Sequence, residues 1–433
     1  MSQLDLIYQY FLAHRIVSTD TRNISEGCLF FALKGEKFDA NTFASEALKQ
    51  GAAYVIIDNK EYQLNDKCIL VEDVLETLQE LARHHRSQLN IPVIGLTGSN
   101  GKTTTKELIN AVLSQKYKTF ATKGNLNNHI GVPLSILSIT EDVEIAVIEM
   151  GANHQKEIEF LCSVAQPTHG MITNIGLAHL DGFGGFEGVK KGKAELFAYL
   201  KTHHGTAFVN HDSPHILEMA HTIGLDEPVG YGIDDTNVIT GALLSSDPVL
   251  ELTWSSTEGP YQVKTHLTGI YNFENLLAAI CIGDFFKLSP DQINKGLEGY
   301  IPVNNRSQLT KTATNMVICD FYNANPSSMA AALKNLTTLA SEHKVAIIGD
   351  MFELGEESGK LHEEIAALSE TSELDSVLLI GKYFYSLKDK YKGNFFSSPE
   401  EAAIWLQANP VKDSLVLLKG SRGMALESLL PLL

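Results

Sequence analysis

The string Ile94-Gly95-Leu96-Thr97-Gly98-Ser99-Asn100-Gly101-Lys102-Thr103-Thr104-Thr105 sets the frame for a chain of 433 residues. An apolar run of strand length leads into a loop bracketed by Gly98 and Gly101, and a helical pattern follows. That order gathers backbone N–H groups and the positive end of a helix dipole at one point, which suits a chain of phosphates. The N–H groups of Gly98, Ser99, Asn100, Gly101, Lys102, Thr103 and Thr104 are expected to surround a triphosphate. Lys102 would neutralise its outer oxygens, and the Thr103 hydroxyl would reach Mg²⁺. The strict G-x-x-x-x-G-K-[ST] spacing needs glycine at position 96, which is Leu96, so the loop is a variant.

Working outward, short β-rich runs at Pro92 to Leu96, Glu144 to Glu149, Met171 to Asn174 and Thr206 to Asn210 alternate with helical periodicity. This rhythm predicts a parallel α/β sheet. Breaks at Asn90-Ile91-Pro92 and at Tyr300-Ile301-Pro302-Val303-Asn304-Asn305 divide the chain into blocks 1–89, 90–300 and 301–433. In the last block Val345–Ile348, Ser376–Ile380 and Leu415–Leu418 are buried-strand runs. Each enters a glycine-containing turn, so their carboxyl ends would border one crevice. The first block reads as a small α/β unit, with strands at Cys28–Leu33 and Ala53–Ile57 around a helix near Thr42 to Lys49.

Composition narrows the class. Hydrophobic residues make up 44% and charged residues 20%, an ordinary globular balance. No run approaches the roughly 20 apolar residues of a membrane span, and Asp5 stands where a leader would be basic, so no signal and no stable membrane insertion are expected. A formal charge of −18 argues against nucleic-acid binding. The five cysteines are scattered without a C-x-x-C pair, as in reduced cytoplasmic proteins.

Further polar residues interrupt the pattern. Glu149 closes an apolar strand and is either a solvated strand-end acid or a Mg²⁺ ligand beside the phosphate loop. His179, in the glycine-rich stretch Thr173 to Gly184, reads equally as structural or functional. Val189, Lys193, Leu196 and Leu200 share one helical face, which turns Lys193 inward. Asn272 and Asn275 open an Ala-rich helix, and capping is the better reading of them.

Together with Asn125-Leu126-Asn127-Asn128-His129-Ile130-Gly131-Val132-Pro133, Glu149-Met150-Gly151-Ala152-Asn153-His154, Asp320-Phe321-Tyr322-Asn323-Ala324-Asn325-Pro326 and Gly349-Asp350-Met351-Phe352-Glu353-Leu354-Gly355, these strings resemble the Mur ligase family over essentially the whole chain. The shorter G-x-x-G-K-T loop fits that family. The resemblance implies a central P-loop ATPase (90–300), a small α/β N-terminal domain for a UDP-linked muramyl precursor (1–89), and a Rossmann-like C-terminal domain that brings the incoming amine (301–433). It implies ATP-dependent amide formation through an acyl phosphate, in cytoplasmic peptidoglycan precursor synthesis, by a monomer. The C-terminal domain would close at the Ile301 to Asn305 seam. Within the family the strings are most similar to the branch that adds D-alanyl-D-alanine to UDP-N-acetylmuramoyl-tripeptide. A sibling adding a single amino acid is the alternative.

The resemblance also implies site residues. Thr19, Asp20, Thr21, Arg22, Lys34, Gly35, Asp39 and Asn41 match the uridine-side motifs, with Asn127 and Asn128 on the same substrate. Lys102 and Thr103 keep the roles given above, and Glu149 and His179 match metal ligands. Lys193 aligns with the lysine that the family carbamylates to help hold a second Mg²⁺. Asn272 and Asn275 match adenine contacts, and Arg306 and Asp320 match residues reaching back over the nucleotide. Asn305 precedes Arg306 where many relatives have glycine. Tyr322, Asn323, Asn325, Asp350, Lys419, Ser421 and Arg422 would form the dipeptide side. A regulatory nucleotide switch is the rival of a different class, and it would hydrolyse ATP without a second substrate.

Overall fold

In the computed structural model, which describes residues 2–22, 24–257 and 259–433, alternation along each strand decides how the layers stack. Four strands of the first domain, Val17–Ser18, Leu29–Phe31, Tyr54–Ile57 and Cys68–Leu70, pair in parallel in that order. Cys28, Phe30, Val55 and Ile57 pack with Ala40, Ala44 and Ala47 on one face. Leu29, Phe31 and Ile56 pack with Ile7, Phe11 and Leu78 on the other. Successive strand side chains point to opposite faces, so near-continuous apolar runs need a layer on both sides.

The central sheet has nine strands, ordered Gly259–Lys264, Glu251–Ser256, Ile239–Ser245, Val229–Gly232, Thr206–Asn210, His169–Ile172, Val93–Thr97, Ile145–Glu149 and Thr119–Ala121. From Ile239–Ser245 onward the pairing is parallel, as the βα rhythm predicts. The last three strands in sequence, Ile239–Ser245, Glu251–Ser256 and Gly259–Lys264, form antiparallel hairpins, an edge beyond the four β-rich runs from which the parallel sheet was expected. Their turns are too short for a crossover helix, which leaves only antiparallel return. One face of the sheet packs on helices Lys102–Leu113, Phe273–Phe285 and Pro290–Gly299. The other packs on Gly131–Leu137, Glu157–Ala165, Phe186–Thr202 and Pro214–Ile223.

Helix Val74–Gln88 ties the first domain to the second, because Leu78, Leu81 and Ala82 share one core with Val132, Ile136 and Leu161. Arg86, buried on this helix, donates to the carbonyls of Ala165 (2.9 Å), Gln166 (3.0 Å) and Leu89 (2.7 Å). Two of those oxygens end the helix Glu157–Ala165, where carbonyls lack partners and a cation is favoured. Arg86→Met keeps most of the packed volume but strands these carbonyls, so a loss of about 2–4 kcal/mol is expected. A urea midpoint unchanged from wild type, followed by circular dichroism, would remove this strut.

The third sheet runs Gln308–Lys311, Met316–Asp320, Leu415–Lys419, Lys344–Gly349, Ser376–Ile380, Asn394–Phe396. It is parallel apart from the first pair. Helices Pro326–Thr338 and Ser358–Thr371 cover one face, and Pro399–Ala408 with the C-terminal turns covers the other. Between the second and third domains, residues 301–307 have no regular structure, and Ile301 and Val303 are 61% and 76% exposed. Asn305 takes a left-handed backbone (φ 56°), which asparagine tolerates better than most residues. The glycine expected there by analogy is therefore not required.

All five cysteines are buried and free, in keeping with scattered reduced thiols. Among the described residues no helix is long and apolar enough to cross a membrane.

Candidate active site

The strand Val93–Thr97 is buried throughout and delivers the phosphate loop to the carboxyl edge of the central sheet, where helix Lys102–Leu113 begins. Gly98 (φ 146°) and Gly101 (φ 76°) make the turn possible. A Cβ on Gly98 would lie 2.0 Å from Thr173 Oγ1, and one on Gly101 would lie 2.8 Å from Asn275 Oδ1. The Ser99 N–H donates to the Asn174 carbonyl (3.0 Å), and the Asn100 N–H donates to Asn174 Oδ1 (2.9 Å). Ser99 and Asn100 spend their backbone donors on shaping the loop, while the N–H groups from Gly101 to Thr104 open the helix, where no carbonyl one turn back is available to them. Lys102 Nζ folds back onto the carbonyls of Gly98 (2.7 Å) and Ser99 (3.2 Å). Burial pushes its ammonium down to about 8, Glu149 pulls the other way, and Arg306 adds a small push.

Beneath the loop, Thr103 Oγ1 donates to Glu149 Oε2 (3.0 Å), and Asn127 Nδ2 donates to Glu149 Oε1 (2.8 Å). Asn127 and Asn128, expected on the UDP substrate, both line the cavity, and Asn127 also sits on the strand-end carboxylate. The Asn128 side chain accepts from the N–H of Gly131 (2.8 Å) and Ile130 (3.1 Å) at the start of the next helix. Sequence reasoning missed Lys106, buried one turn after Lys102, with Nζ on the Thr122 carbonyl (2.6 Å) and 3.9 Å from Glu149. Its signal was available, since Lys106, Ile109 and Leu113 share one helical face as Lys193 does with its neighbours.

Among the described residues no three His, Cys, Asp or Glu side chains converge as a closed metal cage. A buried carboxylate beside a hydroxyl at the phosphate loop nonetheless fits Mg²⁺, which commonly takes one or two carboxylates and completes its shell with phosphate oxygens and water. Lys193 lies behind the cavity wall, buried, with Nζ 3.3 Å from the Ala152 carbonyl and 5.0 Å from the Phe183 ring centroid. Burial pushes its amine well below the usual lysine range, and Lys102 adds to this against Glu157 and Glu195. His179 lines the cavity with Nδ1 2.5 Å from Glu353 Oε2. Burial lowers its pKa, Lys102 and Lys193 lower it further, and Glu353 opposes them.

The two helix-opening asparagines do not cap. Asn272 Nδ2 donates to the Thr268 carbonyl (2.8 Å), while Asn275 bridges Asn272 Oδ1 (2.9 Å) and the Thr105 hydroxyl (2.9 Å). The helix they begin is thereby braced against the helix of the phosphate loop. The expectation of a capping role is corrected because a buried amide must satisfy both ends, and the neighbouring helix supplies the second partner.

Across the cleft, the guanidinium of Arg306 stacks on Tyr322 at 4.0 Å. Asp320 pairs with buried Lys419 (2.6 Å), and Asn325 caps the helix Pro326–Thr338 while donating to Asn100 Oδ1 (2.7 Å). Asn100 also donates to Ser327 (3.0 Å). These walls enclose a cavity of about 920 Å³ that also receives Tyr271 and Asn323.

Other expected residues lie outside it. Both Asp350 oxygens accept the N–H groups of Tyr383 (3.0 Å) and Phe384 (3.1 Å), inside the C-terminal domain. Ser421 accepts from the Phe352 N–H (3.0 Å), and Arg422 is exposed beside Glu427 (3.3 Å). Asp350, Ser421 and Arg422 are thus not part of the cavity wall. Thr19, Asp20, Thr21, Arg22, Lys34, Gly35, Asp39 and Asn41 stand apart on the first domain. There Asp20 is chelated by Arg22 (2.9 Å twice), which holds its carboxyl down at about 2. Lys34 pairs with Asp58 (2.7 Å), and buried Asn41 spends its amide on Asp39 and Asp58.

Comparison with known proteins follows the three sheets. Residues 14–86 match the family description Mur ligase family, catalytic domain; residues 96–283 match Mur ligase middle domain; residues 305–422 match Mur ligase, glutamate ligase domain. The UDP-N-acetylmuramoyl-tripeptide--D-alanyl-D-alanine ligase of Bacillus subtilis (strain 168) is 35% identical over 429 residues, covering 95% of this chain and 92% of its own. A crystal structure of MurF from Acinetobacter baumannii superposes with a TM-score of 0.85 at 31% identity, covering 95% of this chain and 92% of that one. MurF ligase from Thermotoga maritima in complex with ADP has a TM-score of 0.85 at 28% identity, over 100% of this chain and 98% of that one.

Proposed function

The chain belongs to the Mur ligase family, and from that premise we propose that it joins D-alanyl-D-alanine to UDP-N-acetylmuramoyl-tripeptide at the expense of ATP, as a cytoplasmic monomer. It is an ATP-dependent amide-forming ligase of peptidoglycan precursor synthesis. The observation that carries the site reading is the cavity of about 920 Å³, with the phosphate loop on one wall and Arg306, Asp320, Lys419 and Asn325 of another domain facing it.

The terminal carboxylate of the tripeptide attacks the γ-phosphorus of ATP, ADP departs, and an acyl phosphate forms. The free amine of the dipeptide then attacks the acyl carbon, phosphate leaves, and the nitrogen gives up a proton as the amide forms. Lys102 leaves its loop carbonyls for the outer phosphate oxygens, and the N–H groups from Gly101 to Thr104 hold them in line. Thr103 and Glu149 would hold one Mg²⁺, while His179 and a carbamylated Lys193 would hold a second, and bound there such ions would supply positive charge against the transferring phosphoryl group. Arg306 and Asp320 close over the nucleotide, with Asn272 and Asn275 on the adenine side. Tyr322, Asn323, Asn325 and Lys419 receive the dipeptide. Residues 1–89 take the UDP end, 90–300 the ATP and 301–433 the dipeptide. Closure at residues 301–305 excludes water from the acyl phosphate.

Coupled ADP release is the direct test. Turnover is expected only when ATP, Mg²⁺, UDP-N-acetylmuramoyl-tripeptide and D-alanyl-D-alanine are all present. Release of ADP from ATP alone would favour a nucleotide switch. Turnover with a shorter muramyl precursor and one amino acid would make this a sibling ligase.

A further inference from the structure

Two loops from different domains meet at the mouth of the cavity. Leu177 and Leu180 of the central domain pack on the C-terminal core, and a Cβ on Gly355 would stand 3.0 Å from Asp181. In this junction His179 (φ 52°) and Glu353 (φ 62°) both hold left-handed backbones. Side chains with a Cβ rarely adopt that conformation unless their surroundings enforce it. What the two strained residues share is one contact, His179 Nδ1 to Glu353 Oε2 at 2.5 Å.

The chemistry of that contact is directional. An ionised carboxylate only accepts, so Nδ1 must carry the proton, and a neutral imidazole then keeps its lone pair on Nε2. Histidine ligands of metals are commonly oriented in this way by a carboxylate on the other ring nitrogen. The Glu353 side chain is 62% exposed, so the pair adds little to stability, and its consequence lies in placement.

We propose that Glu353 is a positioning residue which, from the C-terminal domain, fixes the tautomer and ring orientation of His179 in the central domain. The ligand-competent histidine is therefore assembled only when the two domains are docked. The proposal rests on the reading of His179 as a metal ligand, and it makes metal binding and domain docking one event.

The test uses full-length protein with Mn²⁺ as the probe, in the presence of a non-hydrolysable ATP analogue, read by electron paramagnetic resonance. A second readout is the ¹⁵N shifts of the His179 ring. Glu353→Ala should weaken Mn²⁺ binding by about 10- to 100-fold and blur the single-tautomer signal. Glu353→Gln, which retains an acceptor oxygen, should recover part of both. The double variant H179A/E353A should bind no more weakly than H179A. Independent, additive losses would overturn the proposal, as would unchanged Mn²⁺ affinity and ring shifts in E353A while H179A is impaired. Unchanged Mn²⁺ binding in H179A itself would remove the ligand reading and the proposal together.

Discussion

Lys102→Met is expected to lower kcat by about a thousandfold or more without lowering the melting temperature. The ammonium is held by two backbone carbonyls and is depressed to about 8 by burial. The folded chain therefore bears a cost for keeping a cation there, and an apolar chain of similar length relieves it. With ATP bound, the same cation faces the charge that spreads over the transferring phosphoryl oxygens. Preorganised charge in a water-poor site commonly supplies 10² to 10³ in rate, about 3–4 kcal/mol, and cationic phosphoryl clamps supply up to about 10⁵. Arginine should not rescue, because its planar fork is wider than the ammonium that the Gly98 and Ser99 carbonyls now accommodate. Single-turnover measurement separates the chemical step from binding. Near-normal turnover in K102M would end the clamp assignment, and a fall in melting temperature would point to a structural lysine.

The second large effect is at Lys193. Lys193→Ala should lose about 10² to 10³ in kcat and recover part of it with added acetate or formate, whereas a lysine serving only to pack would show no rescue. The physical case is its setting. The amine is buried, has one carbonyl at 3.3 Å, and lies over an aromatic face, with its proton affinity lowered chiefly by burial. A neutral amine adds to CO₂, releases a proton and becomes a carbamate. The product replaces a cation that would repel Mg²⁺ with two oxygen acceptors that attract it. ¹³C-bicarbonate should therefore give one carbamate resonance in wild-type protein that is missing in K193A. Lys193→Met, which keeps the volume, distinguishes lost packing from lost oxygens. Full activity in either variant would argue against the carbamate.

Several of these features were legible in the chain because they are local. Strand, glycine loop and helix from Ile94 to Thr105 lie within one short string, and the inward face of Lys193 follows from spacing along a single helix. The apolar runs of the third block become the parallel strands Lys344–Gly349, Ser376–Ile380 and Leu415–Lys419. Other readings were decided by partners that no local pattern names. Asn272 and Asn275 follow a capping pattern, yet Thr105, 170 residues away, claims the amide. Asp350 sits at a strand end, where ligand-binding residues gather, but two N–H groups within its own domain occupy its carboxylate. The antiparallel edge at Ile239–Lys264 went unread because its strands alternate buried with exposed positions and contain none of the continuous apolar runs that mark a fully buried parallel sheet.

By itself the sequence determined the order of elements and the place of the phosphate loop, since each depends on residues within a turn or a strand of one another, while the class of chemistry followed from family resemblance in strings spread over the chain. The tertiary structure decided which donors of that loop are spent on Asn174 and which carboxylate meets Thr103 across 46 residues. It also decided how Asn325 reaches Asn100 across 225 and why Glu353 faces His179. Those pairings arise only when separate cores bring chain-distant edges together, and side-chain type at either position carries no record of its partner.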